Sequence, residues 1–323
     1  HELFVLHQTL GEPVGTSTGC RMLRSLTLLS ISHSEHVLKA FCDALLEAAD
    51  TTDAATVTVY QWLPRRQLWV QQTAVPARPL ASVVLPSLAK AQLLEDLDEF
   101  SSDETVDWYR THGIPHKRSY LFYGPPGAGK TSFIQAVAAK YGRSICFLSP
   151  TDPEMTDENL RAAVQKCPSS SILVLEDVDS FFERGRERSR TSTALMSFSG
   201  LLNALDGIGS ASGGQIFILT TNKRASLDPA LIRDGRVDMH IRFGHAEPEQ
   251  MRDLFSQFYP EAGAALACVF EDRLRDALGP QQVSMAALQH YFVRMRKKSA
   301  TEAAYGVQHV LDELQQRRLR KDE

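Results

Sequence analysis

One short run constrains the fold more than any other feature: Gly124, Pro125, Pro126, Gly127, Ala128, Gly129, Lys130 and Thr131 satisfy the pattern GxxxxGK[ST]. The run follows an apolar segment at Tyr120 to Tyr123 and precedes a helical pattern from Thr131 to Tyr141. Glycines in that setting let backbone N–H groups curl around phosphate oxygens at a helix N-terminus. With Gly near 7% of average sequence, chance would give the pattern roughly once in a hundred such chains before context is counted. Lys130 would neutralise the β and γ phosphates of a nucleotide, the Thr131 hydroxyl would ligate Mg²⁺, and Ser132 completes the binding run.

The rest of the chain supplies the sheet that such a loop needs. Strands are predicted at Tyr120–Tyr123, Ile145–Leu148, Ile172–Leu175 and Gln215–Thr220, with helices at Thr131–Tyr141, Asp157–Lys166 and Thr193–Leu205 between them. That alternation implies an α/β fold with a parallel sheet covered on both faces. Before it, the periodicity predicts a helix at Glu35–Ala49, strands at Thr56–Leu63 and Leu68–Thr73, and helices at Ser87–Phe100 and from Ser102, the last ended by Gly113 and Pro115. The first hundred residues therefore read as a small α+β domain rich in antiparallel pairing. After the sheet, helical patterns cover Pro248–Phe258, Gly263–Leu278, Ser284–Lys298 and Thr301–Arg320, a small helical subdomain.

Composition narrows the partners. The 323 residues are 43% hydrophobic and 23% charged with a net charge of −4, so no chain-wide field favours a polyanion, and nucleic acid is not an expected partner. No apolar run approaches the ~20 residues that span a bilayer. The sequence begins at His1 inside an apolar pattern, so a segment is expected upstream. Cys20, Cys42, Cys146, Cys167 and Cys268 form no CxxC pair and read as reduced, mostly buried thiols; His112 and His116 are separated by Gly113 and Pro115 and read as non-metal positions.

Further chemistry sits at the predicted strand ends. Ile172 to Leu175 delivers Glu176 and Asp177, adjacent acids resembling a Walker B element, one for the magnesium shell and one to orient and deprotonate water. The strand at Ile216–Leu219 ends in Thr220, Thr221 and Asn222, placing Asn222 near a γ-phosphate. Arg233 and Arg236 follow in Leu227-Asp-Pro-Ala-Leu-Ile-Arg-Asp-Gly-Arg-Val-Asp238.

Together these motifs resemble the AAA P-loop ATPases across Tyr120 to Phe243. The segments Trp108–Pro115, Ser197–Gly207 and Val283–Gln289 resemble a narrower group, the Bcs-type mitochondrial chaperones, as do Pro79–Val83 and Leu97–Phe100. The resemblance implies a Bcs-type middle domain over 1–100, entered partway, a large α/β subdomain over 101–245 and a small helical subdomain over 246–323. It implies ATP and Mg²⁺ as ligands, with Thr131, Glu176 and Asp177 around the metal, Asn222 as sensor, and Arg233 and Arg236 as arginine fingers reaching a neighbouring subunit. Gly113 and Ile114 match a segment bordering the adenine. It also implies a homo-oligomeric, seven-membered ring at the mitochondrial inner membrane, anchored by a segment absent from this chain. Such a ring would move a folded Rieske iron–sulfur subunit across that membrane for complex III assembly.

Two departures from the wider AAA pattern stand out. The Glu176-Asp177 order inverts the usual Asp-Glu; by alignment Glu176 takes the metal position and Asp177 the base, and the assignment between them stays open. The loop Ser149–Thr156 has no aromatic residue with which to thread an unfolded chain. Alternatives are a Bcs-like ATPase with another client, in the cytosol or on another membrane, and a nucleotide-gated assembly scaffold with vestigial hydrolysis.

Overall fold

The computed structural model describes residues 4–16, 19–30, 39, 43, 56–168, 170–180, 196–206, 214–233 and 235–311, in two compact units that divide after Thr56. In the first unit β1 (Phe4–Thr16) and β2 (Gly19–Ser30) pair antiparallel, with a register shift between Leu10 and Pro13, where proline offers no N–H to the ladder. The helix predicted at Glu35–Ala49 lies outside the described residues, apart from isolated positions.

The second unit is built on a sheet of β3 (Thr56–Leu63), β4 (Leu68–Pro76), β5 (Lys117–Tyr123), β6 (Ser144–Leu148), β7 (Ser171–Leu175), β8 (Gln215–Thr221) and β9 (Met239–Arg242). Its order is β4-β3-β6-β7-β8-β5-β9, with parallel pairing from β3 through β9. Thus β8 lies between β7 and β5, and the ends of all three meet at one edge.

Here the structure differs from the sequence reading. The strands assigned to a separate first domain extend the parallel sheet, with Val59 opposite Ile145 and Gln61 opposite Phe147. The reason is visible in β3, which buries Val57 in the core on one face and Trp62 in the core on the other, as a strand covered on both sides must. The short connection Pro64–Gln67 to β4 can join only antiparallel neighbours.

Alternation along the strands divides the core. Tyr120, Phe122, Ile172, Val174, Ile216 and Ile218 pack with α1 (Ser87–Phe100) and α3 (Lys130–Lys140) on one face. Leu121, Leu173, Leu175, Phe217 and Leu219 pack on the other with α4 (Asp157–Gln165) and α5 (Phe198–Asp206). The short α2 (Asp103–Thr111) is capped by the Ser102 hydroxyl.

Beyond the sheet, α6 (Pro248–Phe258), α7 (Gly263–Leu278), α8 (Met285–Met295) and α9 (Ala300–Tyr305) close around Phe255, Phe270, Tyr291 and Phe292. The helix predicted from Thr301 to Arg320 is interrupted after Tyr305 at Gly306, whose N–H bonds Glu302 O, and helical backbone resumes over 308–311; residues after 311 lie outside the described set. Of the three cysteines whose burial is described, Cys146 is buried, Cys167 half-buried and Cys268 exposed, so the expectation of mostly buried thiols does not hold for these three. No helix among the described residues is long and apolar enough to cross a membrane.

Candidate active site

The loop from β5 to α3 lies at the C-terminal edge of the parallel sheet, where open α/β sheets bind ligands. Gly124 has φ +145°, and a Cβ there would collide with the backbone carbonyl of Phe243, just past β9. Only glycine fits so close an approach. Ala286 N–H donates to Gly127 O at 3.0 Å, fastening α8 to the loop, and a Cβ on Gly127 would lie 3.1 Å from Ala286 Cβ. Among the described residues no protein group accepts from the N–H groups of Gly129, Lys130, Thr131 and Ser132, which open α3. These are the orphan donors of a helix N-terminus, suited to phosphate oxygens.

Lys130 is buried, and its Nζ donates to Gly124 O (2.7 Å), Pro125 O (3.2 Å) and Asn222 Oδ1 (2.8 Å). Burial pushes its ammonium below the ordinary lysine range, against the pull of Asp177 and Asp179. From the end of β7, Glu176 Oε1 accepts from Thr131 Oγ1 at 3.3 Å. Burial pushes the Glu176 carboxyl above its usual value and the neighbouring Asp177 charge adds to this, while the Thr131 bond opposes it.

Asp177 sits at φ +48°, a left-handed conformation that costs a non-glycine residue about 1–3 kcal/mol. It is held there by its N–H bond to Thr220 Oγ1 (3.1 Å) and by Asn222 Nδ2, which donates to Asp177 Oδ1 at 3.0 Å. Lys130, Asn222 and Asp177 thus form one hydrogen-bonded chain across the ends of β5, β8 and β7.

Asp179 supports that chain from below. It is 4% exposed, and its Oδ1 accepts from Thr221 Oγ1 (2.9 Å) and Asn222 N (3.1 Å). The sequence reading gave Asp179 no role; its signal was an acid two residues past Asp177, beside a buried Val178.

Thr131 and Glu176 together fit a magnesium ion. Mg²⁺ favours one or two protein oxygens and completes its shell from substrate phosphates and water. Among the described residues there is no cluster of three His, Cys, Asp or Glu that would hold a metal by itself.

Arg233 is exposed on the turn after β8. Arg236 forks onto the Asp206 carboxylate at the end of α5 (Nε to Oδ1 2.9 Å, NH2 to Oδ2 2.8 Å), and NH1 donates to Ala230 O at 2.7 Å. The fork holds its guanidinium in one orientation.

Beside the loop opens a cavity of about 530 Å³, lined by Val83, Val84, Gly127, Gly129, Ser132, Leu254, Gln257, Phe258, Met285 and Ala286 among others. It is a mostly apolar slot against the phosphate cradle, the environment a purine ring needs. Gln257 Nε2 donates to Ala81 O (2.7 Å) and Gln250 Nε2 to Val84 O (3.1 Å), so α6 grips the segment that forms the wall.

Gly113 and Ile114, expected at the base, are not among the residues lining this cavity. They terminate α2 instead: Gly113 (φ +64°) donates to Arg110 O and Ile114 to Tyr109 O, a Schellman end, and the Ile114 side chain is exposed. A Gly ahead of a Pro fits a helix stop as well as a base contact, so the local pattern could not separate the two. The wall comes from the segment 78–84, which the sequence reading had placed in the middle domain.

A family model described as ATPase family associated with various cellular activities (AAA) matches residues 120–245, and one described as Mitochondrial chaperone BCS1-like, ATPase lid domain, matches residues 248–309. The chain is 40% identical over 285 residues to a probable mitochondrial chaperone bcs1 of Schizosaccharomyces pombe, covering 86% of this chain and 60% of that protein. It is 42% identical over 228 residues to mitochondrial chaperone BCS1 of Bos taurus (69% and 53%), and 30% over 249 residues to an Arabidopsis thaliana protein named AAA-ATPase At4g30250 (71% and 47%). The chain spans about half to three-fifths of the length of these relatives. The first match ends and the second begins at the junction between sheet and helical cap, and the chain belongs to the BCS1-type branch of the AAA ATPases.

Proposed function

We propose that this chain is the motor part of an ATP-hydrolysing, mitochondrial ring chaperone. Its work is to move a folded Rieske iron–sulfur subunit across the inner membrane during complex III assembly. The observation that carries the ATPase reading is the Lys130–Asn222–Asp177 chain beside the Thr131–Glu176 pair. The loop N–H groups and Lys130 bind the phosphates of ATP, and the apolar slot takes the base. When bound, Mg²⁺ supplies charge neutralisation on the β and γ phosphate oxygens. Thr131 and Glu176 are the residues that would hold it. Asn222 fixes the Asp177 carboxylate, which takes the proton of the attacking water.

The exposed Arg233 and the preorientated Arg236 fit fingers that complete a neighbour's site, a contribution worth roughly 10³ to 10⁵ in rate. A ring of copies is then part of the mechanism. A folded rather than threaded client is supported by the loop after β6, which carries no aromatic residue. It buries Met155 and pairs Glu154 with Arg65 at the β3–β4 turn, leaving no paddle to grip an extended chain.

The test is complementation of mitochondria lacking their own BCS1-type chaperone with the full-length protein. Transfer of the Rieske iron–sulfur domain to the intermembrane side, read by protease protection, should be restored by the wild type and not by Lys130→Ala. Restored ATPase activity without transfer would retain the ATPase reading and overturn the client.

A further inference from the structure

Among the described residues, a single charged side chain lines the slot beside the phosphate loop, and no charge in the protein balances it. Arg78 opens the segment that forms the wall, is half-buried, and shares the cavity lining with Val83, Gly129 and Ala286. Its Nε donates to Ser82 Oγ at 3.1 Å, and the Ser82 hydroxyl in turn donates to Pro79 O at 2.7 Å. With its proton committed, the Ser82 oxygen is left as an acceptor that fixes one edge of the guanidinium. Among the described residues no carboxylate pairs with Arg78, and its four Nη–H donors have no protein acceptor. Burial pushes the guanidinium below the ordinary arginine range, with no neighbouring charge to offset it.

A cation partly removed from water needs a partner, and here the protein does not provide one. Phosphate is one partner that arginine favours, but the phosphates of a nucleotide already have the N–H groups that open α3 and the Lys130 ammonium. The face of a heteroaromatic ring is the other, because a planar guanidinium stacks on it and is attracted to its π electrons. Phe258 is the one aromatic ring among the described lining residues, and one of its faces is spent on Phe292, with centroids 5.0 Å apart and planes 19° apart. That leaves Arg78 as a planar group in the slot with no ring on it.

Resting on the ATPase reading above, we propose that Arg78 holds the nucleotide base: its guanidinium, oriented by Ser82, stacks on the ring face. The contact adds affinity for a nucleotide and none for a bare triphosphate chain.

The experiment titrates the purified protein, by calorimetry in the presence of Mg²⁺, with two probes: ATP, and inorganic tripolyphosphate, which carries phosphates without a base. Arg78→Ala should weaken ATP binding about tenfold, between the values for an exposed and a desolvated cation–π contact, and leave tripolyphosphate binding unchanged. The KM for ATP should rise by the same factor with kcat unchanged, since the base contact is equal in ground and transition states. Arg78→Lys keeps the charge without the plane and should recover only part of the loss. Equal losses for the two probes would assign Arg78 to the phosphates and overturn the proposal. So would full recovery by lysine, or an alanine variant that binds ATP as tightly as the wild type. A wild type that binds neither probe would overturn the nucleotide reading itself, and the proposal with it.

Discussion

Asp179 gives the sharpest test of how the site is held together. Replacing it by alanine removes one buried carboxylate oxygen that accepts from both Thr221 Oγ1 and Asn222 N, where Thr221 is fully buried. Bonds to a charged acceptor are worth about 1.5–3 kcal/mol each, and a buried donor left without a partner costs about 1–3 kcal/mol. Because both donors share one oxygen the terms overlap, and a total near 3–5 kcal/mol is expected for Asp179→Ala. That is a large fraction of the roughly 5–15 kcal/mol by which a domain is stable. Asp179→Asn keeps an oxygen in the same place and loses only the charge, so it should cost about 1–2 kcal/mol. Urea unfolding of the two variants gives the stabilities directly. ATPase activity, measured where both remain folded, should fall far more for alanine, since Asn222 loses the anchor that aims it at Asp177. Equal stabilities for the alanine and asparagine variants, or an alanine variant within about 1 kcal/mol of wild type, would refute the anchoring argument.

Three further outcomes follow from the same geometry. Asn222→Ala should retain nucleotide binding in a fluorescent-nucleotide titration while kcat falls by about 10²- to 10³-fold, as for loss of one preorganised polar group. Ala286→Leu, which pushes side chain into the loop at Gly127, should weaken nucleotide binding by at least about tenfold, whereas Gly113→Ala should cost only about 1 kcal/mol of stability and leave binding unchanged. Glu176 has its folded-state pKa raised, so the folded protein holds that proton more tightly than the unfolded chain does. Its contribution is fully present below the ordinary carboxylate value of 4.5 and is lost as pH rises through the folded value. Glu176→Gln, which stays in the protonated-like form, should therefore be more stable than wild type at neutral pH, with the difference vanishing on acidification. A difference that grows on acidification would contradict that assignment.

Much of this site was legible before any coordinates, because phosphate loops are read from chemistry that is local in sequence. The strand before Gly124, the helix after it, and the polar ends of β7 and β8 needed only period and position. What was not legible depended on contacts distant in sequence. Nothing in Val83 and Val84 announces an apolar cavity beside the phosphate loop until α6 and α8 fold over them, bringing Gln257 and Ala286 from the other end of the chain. Gly113 misled for the converse reason, since a glycine needed for a left-handed helix end looks the same as one needed beside a ligand. The placement of β3 and β4 was missed because a hairpin satisfies its own local pattern whichever sheet it joins. Its burial of Val57 and Trp62 on opposite faces is a property of the assembled sheet.

Arg236 is proposed to complete the nucleotide site of a neighbouring copy. The most direct measurement mixes two variants that are each expected to be inactive, Lys130→Ala, with a defective nucleotide loop, and Arg236→Ala, with a defective finger. Co-assembled subunits should recover ATPase activity where an intact loop meets an intact finger across an interface, with a maximum at intermediate mixing ratios. Co-assembly without recovery, or an Arg236→Ala protein as active alone as the wild type, would contradict it.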